Sequence, residues 1–494
     1  MNFPPKAPFI HLSYESKRLL REALISILMG RPLPTIPERH IDLFVRGYNE
    51  FLKGLIGTYY FLEAIPLERG IWWDELLLWL MNATHGKGHY VMCLNNLSTV
   101  FQKYASTLEN IETCMIGMGE PAYALAISVM RRNLQRAHFD RWGGEKQIIR
   151  PWPVVTHIGE MSYQLNNTLK SVALSGQNDK FILPVPSHLK VCNSAYLDLW
   201  RDHLEIVTGP AADALYAANR HLLYDASLSS VNGTVRPDDD ALPILENMWL
   251  RAGHDPIITC PLSWKDELYA TLRINLDRFI VGLHVREAGF HHYDWAGTTA
   301  IRNAHVATYG RLVRAISARG GHVIRLGNPA MSTLPPWPDC TDLAHHPLRN
   351  ERLDIAACAF SRFFVGTPSG MFTVAYSFGV PVLLTNQTPL AQRQPGLGII
   401  LPKLYQRHDG ALLRLADACR PPFNELYNGY TLNRLGYRVR DNTPDELEAA
   451  ALEMLDPITP SELCAQFNTL TGHSDLLYTP TLSPYFAKKH AQLF

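Results

Sequence analysis

Apolar positions recur at intervals of three and four near the start of the chain, at Leu19, Leu20, Ala23, Leu24, Ile27 and Leu28, a spacing that predicts amphipathic helix. Pro32, Pro34 and Pro37 then close it. Residues 1–150 read as mostly helical throughout. Gly57, Gly88 and Gly119 recur 31 residues apart, each ahead of a helical segment. This is close to the period of helix-pair repeats, with an irregular helical domain as the alternative.

The pattern changes around Arg150-Pro151-Trp152-Pro153, where short β-branched runs begin to alternate with helical stretches. A strand is expected over 154–158, then a helix after Gly159-Glu160 with Leu165, Leu169 and Val172 on one face. Strand 181–185, helix 194–203 and strand 204–208 follow. A second set opens with strand 279–285 and a helix carrying Val306, Tyr309, Leu312, Val313 and Ile316, stopped by Gly320-Gly321. It continues through strand 322–326, helix 350–360, strand 363–366, helix 371–378 and strand 380–385, and an acidic helix over 443–455 packs back. Such alternation predicts parallel sheets with right-handed crossovers. The fold class is therefore α/β: Rossmann-like domains at 151–275 and 276–494, with an added α-helical domain at 1–150. Ligands of open parallel sheets bind at the carboxyl ends of the strands, so the chemistry belongs there.

Composition narrows the functional classes. The 494 residues exceed one ordinary domain, and 47% hydrophobic with 19% charged residues describes a globular chain. Lys plus Arg and Asp plus Glu both total 46, so no global field draws the protein to nucleic acid. The eight cysteines include no C-x-x-C pair and read as thiols of a reducing compartment. No apolar run approaches the ~20 residues of a membrane span, and 71–81 is interrupted by Asp74 and Glu75. The N-terminus, with Lys6, Lys17, Arg18 and Arg21, shows no signal-peptide pattern. A cytoplasmic location is expected, with the inner face of the membrane as a peripheral alternative.

Two constellations carry chemistry. Strand 279–285 is apolar until His284, with Arg286-Glu287 just beyond its end. His284 and Arg286 are two residues apart and share a side of an extended chain, and the planar guanidinium suits phosphate oxygens. The alternative is an ion pair between Arg286 and a neighbouring carboxylate. In the second constellation, Arg362 to Gly370, a strand turns into a helix through Thr367, Ser369 and Gly370. Backbone N–H groups, hydroxyls and the helix dipole there suit an anion. Ser369 also reads as the N-cap of the next helix, worth ~1 kcal/mol.

The segment Gly282-Leu-His-Val-Arg-Glu287, with Arg302-Asn303, Tyr309, Gly320-Gly321, Arg325-Leu-Gly327, Asp354-Ile355 and the Phe363-to-Gly370 turn, resembles a family of bacterial glycosyltransferases. More distantly, its H-x-R motif resembles the alpha-1,6- and protein O-fucosyltransferase superfamily of GT-B fold. The resemblance covers about residues 150–400 and implies inverting, metal-independent transfer from a nucleotide sugar held mainly by the C-terminal Rossmann-like domain. It further implies that Arg286 contacts the donor diphosphate with His284 nearby. By the same token Thr367, Ser369 and Gly370 face the nucleotide, while Arg325, Gly327 and Asp354 belong to the donor side. Glu287-Ala288 departs from the fucosyltransferase pattern, where a further basic residue is usual.

Transfer needs charge stabilisation on the leaving diphosphate and a base for the acceptor hydroxyl. Glu160 is the candidate base, with Asp294 and Glu287 as rivals; its alternative role is to complement a helix N-terminus. Competing motifs are weaker. Asp238-Asp239-Asp240 imitates a D-x-D metal site but follows a polar turn and reads as a solvated loop, so no metal is required. Gly117-x-Gly119-x-x-Ala122 lies in helical surroundings and is a poor dinucleotide fingerprint. His291-His292 and His345-His346 lack metal-ligand spacing, and Gly366-Thr-Pro-Ser-Gly370 lacks the order of a nucleophile elbow. The expected partners are a nucleotide-sugar donor and a glycan or protein acceptor engaged through the helical domain, with no cofactor and no nucleic acid. The alternatives are an interaction protein on a degenerate nucleotide-binding scaffold and a sugar-nucleotide epimerase.

Overall fold

The computed structural model describes residues 146–494, except 177–178, 220–222, 225, 227, 232–233, 288–299, 391–395, 421–422, 424–428, 457–458, 472–475, 477 and 479. The glycine-spaced helical region, Gly117, Asp294 and His291-His292 lie outside the described residues. The chain divides into two compact units: Met1–Ile149 with Asp179–Ile182 and Ala214–Asp225, and Arg150–Asn178 with Leu183–Asp213 and Ala226–Phe494.

In the first unit, β1 (Lys146–Ile148) pairs in parallel with the start of β2 (Lys180–Val185), and Ile149 bridges to Tyr224. The expected strand at 154–158 is absent. Val154 and Val155 are buried, but in a turn where Val155 N–H donates to Pro151 O at 2.8 Å. Pro151 and Pro153 have no N–H to give a ladder, so the strand falls upstream at β1.

The second unit begins with α1 (Ile158–Ser175), followed by α2 (Ser194–Asp198) and β3 (Glu205–Thr208). Helix α2 is shorter than expected, because Leu199 and Trp200 N–H turn to the carbonyls of Tyr196 and Leu197, three residues back. The hairpin of β4 (Leu228–Val231) and β5 (Thr234–Pro237) leads into α3 (Asp238–Arg251). Asp238, Asp239 and Asp240 thus open a helix rather than forming the expected loop, and acidic residues suit a first turn.

A seven-stranded sheet follows: β6 (Phe279–His284), β7 (Gly321–Arg325), β8 (Cys340–Asp342), β9 (Ser361–Gly366), β10 (Val382–Gln387), β11 (Gly398–Pro402) and, after the hairpin β12 (Leu404–Arg407) and β13 (Tyr437–Arg440), β14 (Thr481–Leu482). The order is β14-β11-β10-β9-β6-β7-β8, with every recorded pairing parallel. The chain moves outward from β6 to β8, returns to the other side of β6 at β9, and moves outward again. That reversal is a topological switch point.

Alternation along β6 decides which residues reach the site. Val281, Leu283 and Val285 enter the main apolar core, with Leu312, Val313 and Ile316 of α4 (Gly310–Ala318) and with Phe363 and Val365 of β9. Gly282 and His284 take the opposite parity. A Cβ at Gly282 would stand 2.6 Å from the Phe364 ring, so the ring of β9 requires a glycine beside it. Two helices connect this part of the sheet: α5 (Glu351–Ala359), capped by Asn350, and α6 (Gly370–Ser377).

The acidic helix occurs as expected: α7 (Pro444–Leu455) starts from a capping box formed by Thr443 and Glu446, and its Leu447, Ala450 and Ala451 join the main core. Buried Glu446 also meets His490 at 2.8 Å and Lys489 at 2.9 Å. Burial alone would raise its pKa, but His490, Lys489 and the Thr443 N–H together hold it at about 2. Because the folded value lies below the unfolded one, the stabilisation is complete above about pH 4.5 and is lost as pH falls toward the folded value. Its size is about 3 kcal/mol. Chemical denaturation at pH 6 and pH 3 is expected to show Glu446→Gln losing part of the acid dependence of the parent; identical pH slopes would contradict the assignment.

Candidate active site at the sheet switch point

The switch point brings β6 and β9 side by side, with His284 in register with Gly366. Beyond the last ladder pair, the two chains are tied together. Thr367 N–H donates to His284 O at 3.1 Å, and Arg286 N–H donates to the Thr367 hydroxyl at 2.8 Å. Ser369 Oγ lies 3.0 Å from His284 Nδ1. His284, Arg286, Thr367 and Ser369 are thus gathered at one corner, although 81 residues separate Arg286 from Thr367.

The electrostatics of that corner follow from burial beside two cations. His284 and Arg286 are 5% and 7% exposed. Burial, then the charges of Arg325 and Arg286, pull the His284 pKa down to about 3. At neutral pH the imidazole is uncharged, and the corner's positive charge resides on the arginines.

Ser369 occupies the N-cap position of α6 but makes no capping hydrogen bond, contrary to the structural role expected of it. The first-turn N–H groups of an uncapped helix have no intrahelical acceptor. A second uncapped helix begins at the same place. Helix α1 starts from His157 without a side-chain cap, and its Gly159 touches Gly370, the first residue of α6. A Cβ on Gly159 would stand 2.6 Å from Gly370 Cα, and one on Gly370 would stand 2.7 Å from Gly159 N. Glu160 follows immediately on α1, with Oε2 accepting from Gln164 Nε2 at 2.6 Å. The candidate base therefore sits one residue from the Ser369-Gly370 corner.

Three other expected residues have protein partners or packing roles of their own. Arg325, at the tip of β7, is fully buried: its guanidinium donates to Asp342 at 2.9 Å, to Ser332 O at 2.9 Å and to Glu287 at 3.2 Å. Glu287 in turn also accepts from Ser332 N–H at 3.1 Å, so this rival base is spent on a loop. Gly327 has φ +157°, and a Cβ there would meet Met331 Sδ at 2.5 Å, which accounts for glycine by packing. Asp354 holds Arg349 through both carboxylate oxygens, at 2.7 to 3.1 Å. Burial raises the Asp354 pKa while Arg349 opposes the rise.

The contact between α1 and α6 had no counterpart among the sequence expectations. It runs back from the glycines through Ser162, whose hydroxyl donates to Thr373 O at 2.6 Å, to a buried cluster in which Glu246 receives hydrogen bonds from both Lys170 and Tyr376. The signal was present as spacing: Gly159, Ser162, Asn166 and Lys170 recur at three and four, a polar stripe on a helix, and Gly370, Thr373 and Tyr376 recur at three.

No protein-family model matches the chain, and no curated protein matches it. Among solved structures, it is similar to ADP-heptose lipopolysaccharide heptosyltransferase II of E. coli, at 12% identity over 49% of this chain and 86% of that one, TM-score 0.32. It is also similar to TibC, an iron-containing dodecameric glycosyltransferase of enterotoxigenic E. coli H10407, at 14% identity over 48% and 57%, TM-score 0.28. A family 9 glycosyl transferase of Veillonella parvula DSM 2008 aligns at 15% identity over 48% and 63%, TM-score 0.23. Likeness at this level leaves the function to be argued from the residues. Among the described residues, no group of three His, Cys, Asp or Glu is placed to hold a metal, and no helix is long and apolar enough to cross a membrane.

The glycine contact is open to direct test. Gly370→Ala forces a methyl into the backbone of α1, an overpacking expected to cost about 1–3 kcal/mol. It should lower the denaturation midpoint well beyond the effect of Gly320→Ala, whose Cβ would meet nothing within 4 Å but whose φ of +80° carries its own strain. Equal effects would mean that the two helix starts are not in contact.

Proposed function

We propose that this protein is a glycosyltransferase that moves a sugar from a nucleoside-diphosphate sugar to a hydroxyl of a glycan or protein acceptor, by an inverting, metal-independent route. The observation that carries the reading is the corner itself: Arg286 fastened through its backbone to Thr367, His284 on Ser369, and two uncapped helix starts in contact, all at the switch point of a parallel sheet. A guanidinium, an imidazole, hydroxyls and helix-start N–H groups belong to this corner, and that chemistry suits a diphosphate.

In this mechanism the acceptor hydroxyl approaches the anomeric carbon opposite the diphosphate while Glu160 takes its proton. The new carbon–oxygen bond forms as the bond to the diphosphate oxygen breaks. The negative charge gathers on the departing nucleoside diphosphate, where Arg286 and the N–H groups of Gly370 and Met371 stabilise it without reorganising. Thr367 fixes the Arg286 backbone. Arg325 and Asp354 act as supports: Arg325 ties the tips of β7 and β8 to the chain beyond β6, and Asp354 secures Arg349 ahead of α5. The reading keeps a GT-B-like pair of domains, with residues 1–150 on the acceptor side.

The test is nucleotide release from a panel of UDP-, GDP-, ADP- and CMP-sugars, with and without glycan and peptide acceptors. Acceptor-dependent release of a nucleoside diphosphate is expected. Arg286→Ala should keep its fold by circular dichroism and lose about a hundredfold to a thousandfold in turnover, the usual effect of removing one preorganised charge-stabilising donor. Glu160→Gln should lose transfer while still binding nucleotide. Full turnover by folded Arg286→Ala, or conversion of the sugar nucleotide to an epimer without release, would overturn the proposal.

A further inference from the structure

We propose that Ser369 is a positioning residue whose hydroxyl donates to Nδ1 of His284 and holds the imidazole as its Nε2–H tautomer, so that His284 presents the diphosphate with a hydrogen-bond donor. The inference rests on the glycosyltransferase reading for its ligand but not for its geometry.

One observation and two points of chemistry support it. Ser369 stands where a capping serine would, yet its hydroxyl goes to His284 at 3.0 Å, and the helix is left uncapped. A neutral imidazole has one donor and one acceptor nitrogen, so a ring that accepts at Nδ1 carries its proton on Nε2. Phosphate oxygens only accept, so a lone pair on Nε2 would repel the ligand that the Nε2–H would bind.

The charged surroundings oppose a cationic ring. On its own chain segment His284 has Arg286 and Glu287, and on β7 it has Arg325. The Glu287 and Asp342 carboxylates are engaged by Arg325, and Asp342 also meets His345 at 2.9 Å. Arg349, just ahead of α5, is paired with Asp354. Beyond the end of β9, the Ser369 hydroxyl faces the ring and the Thr367 hydroxyl accepts from Arg286 N–H. Burial, then Arg325 and Arg286, outweigh the one opposing influence, a backbone hydrogen bond, and hold the imidazole pKa at about 3. Nucleotide binding therefore gains no dependence on pH from His284 near neutrality, whereas an unburied histidine would change charge there.

The experiment is long-range proton–nitrogen NMR of the full-length protein labelled with ¹⁵N-histidine, the His284 signal being identified by its loss in His284→Gln. The neutral Nε2–H pattern is expected without titration between pH 5 and 8.5. An Nδ1–H pattern, or titration within that window, would overturn the proposal. In Ser369→Ala the tautomers should mix and affinity for UDP, GDP or ADP should fall about threefold to tenfold, the effect of one misdirected neutral donor. Ser369→Thr should restore both. An unchanged tautomer and affinity in Ser369→Ala would also overturn the proposal. If no nucleotide binds the parent protein, the glycosyltransferase reading fails while the spectra still decide the tautomer.

Discussion

The parallel pairing of β6 with β9 is the constraint from which the site follows. Strand order reverses at this pair, the place where open parallel sheets bind their ligands. The pairing continues past the ladder as Thr367 N–H to His284 O and Arg286 N–H to the Thr367 hydroxyl, which sets a buried cation and a buried imidazole at the carboxyl end of the pair. Gly282 is part of the same constraint, because any side chain there would drive the Phe364 ring of β9 away. The chemistry depends on the register of two strands more than on any loop.

A second dependency runs along the contact of α1 with α6. Two glycines let the helix backbones meet at the site end, and a hydrogen-bonded cluster of Lys170, Glu246 and Tyr376 closes the far end. Burial lowers the Lys170 pKa while Glu246 opposes that shift. A polar contact of this kind binds less tightly than an apolar one of equal area, but it specifies one arrangement, since each buried group must find its partner. The arrangement it specifies sets Gly159, the residue before Glu160, against Gly370.

Much of this was legible in the chain. The alternation of apolar runs with helical segments located β6, β7, β9, β10 and the helices between them to within two or three residues. Arg286, His284 and Ser369 stood out because polar groups ended apolar strands. What escaped has physical reasons. Strands β8 and β14 are only three and two residues long, and Cys340–Asp342 has little of the apolar character of a buried strand. The valines of 154–155 imitated a strand because burial selects the same residues in a packed turn. For Arg325 a sequence shows the cation and not the Glu287 and Asp342 carboxylates that enclose it. The missing cap at Ser369 was unreadable for a similar reason, since its partner lies 85 residues away.

A crystal structure of the protein with UDP, GDP or ADP tests the central claim most directly. The account predicts a diphosphate at the start of α6, with an oxygen about 3 Å from the Arg286 guanidinium and another facing the Gly370 and Met371 N–H groups. A nucleotide seated elsewhere on the sheet, with Arg286 turned away from its phosphates, would contradict it.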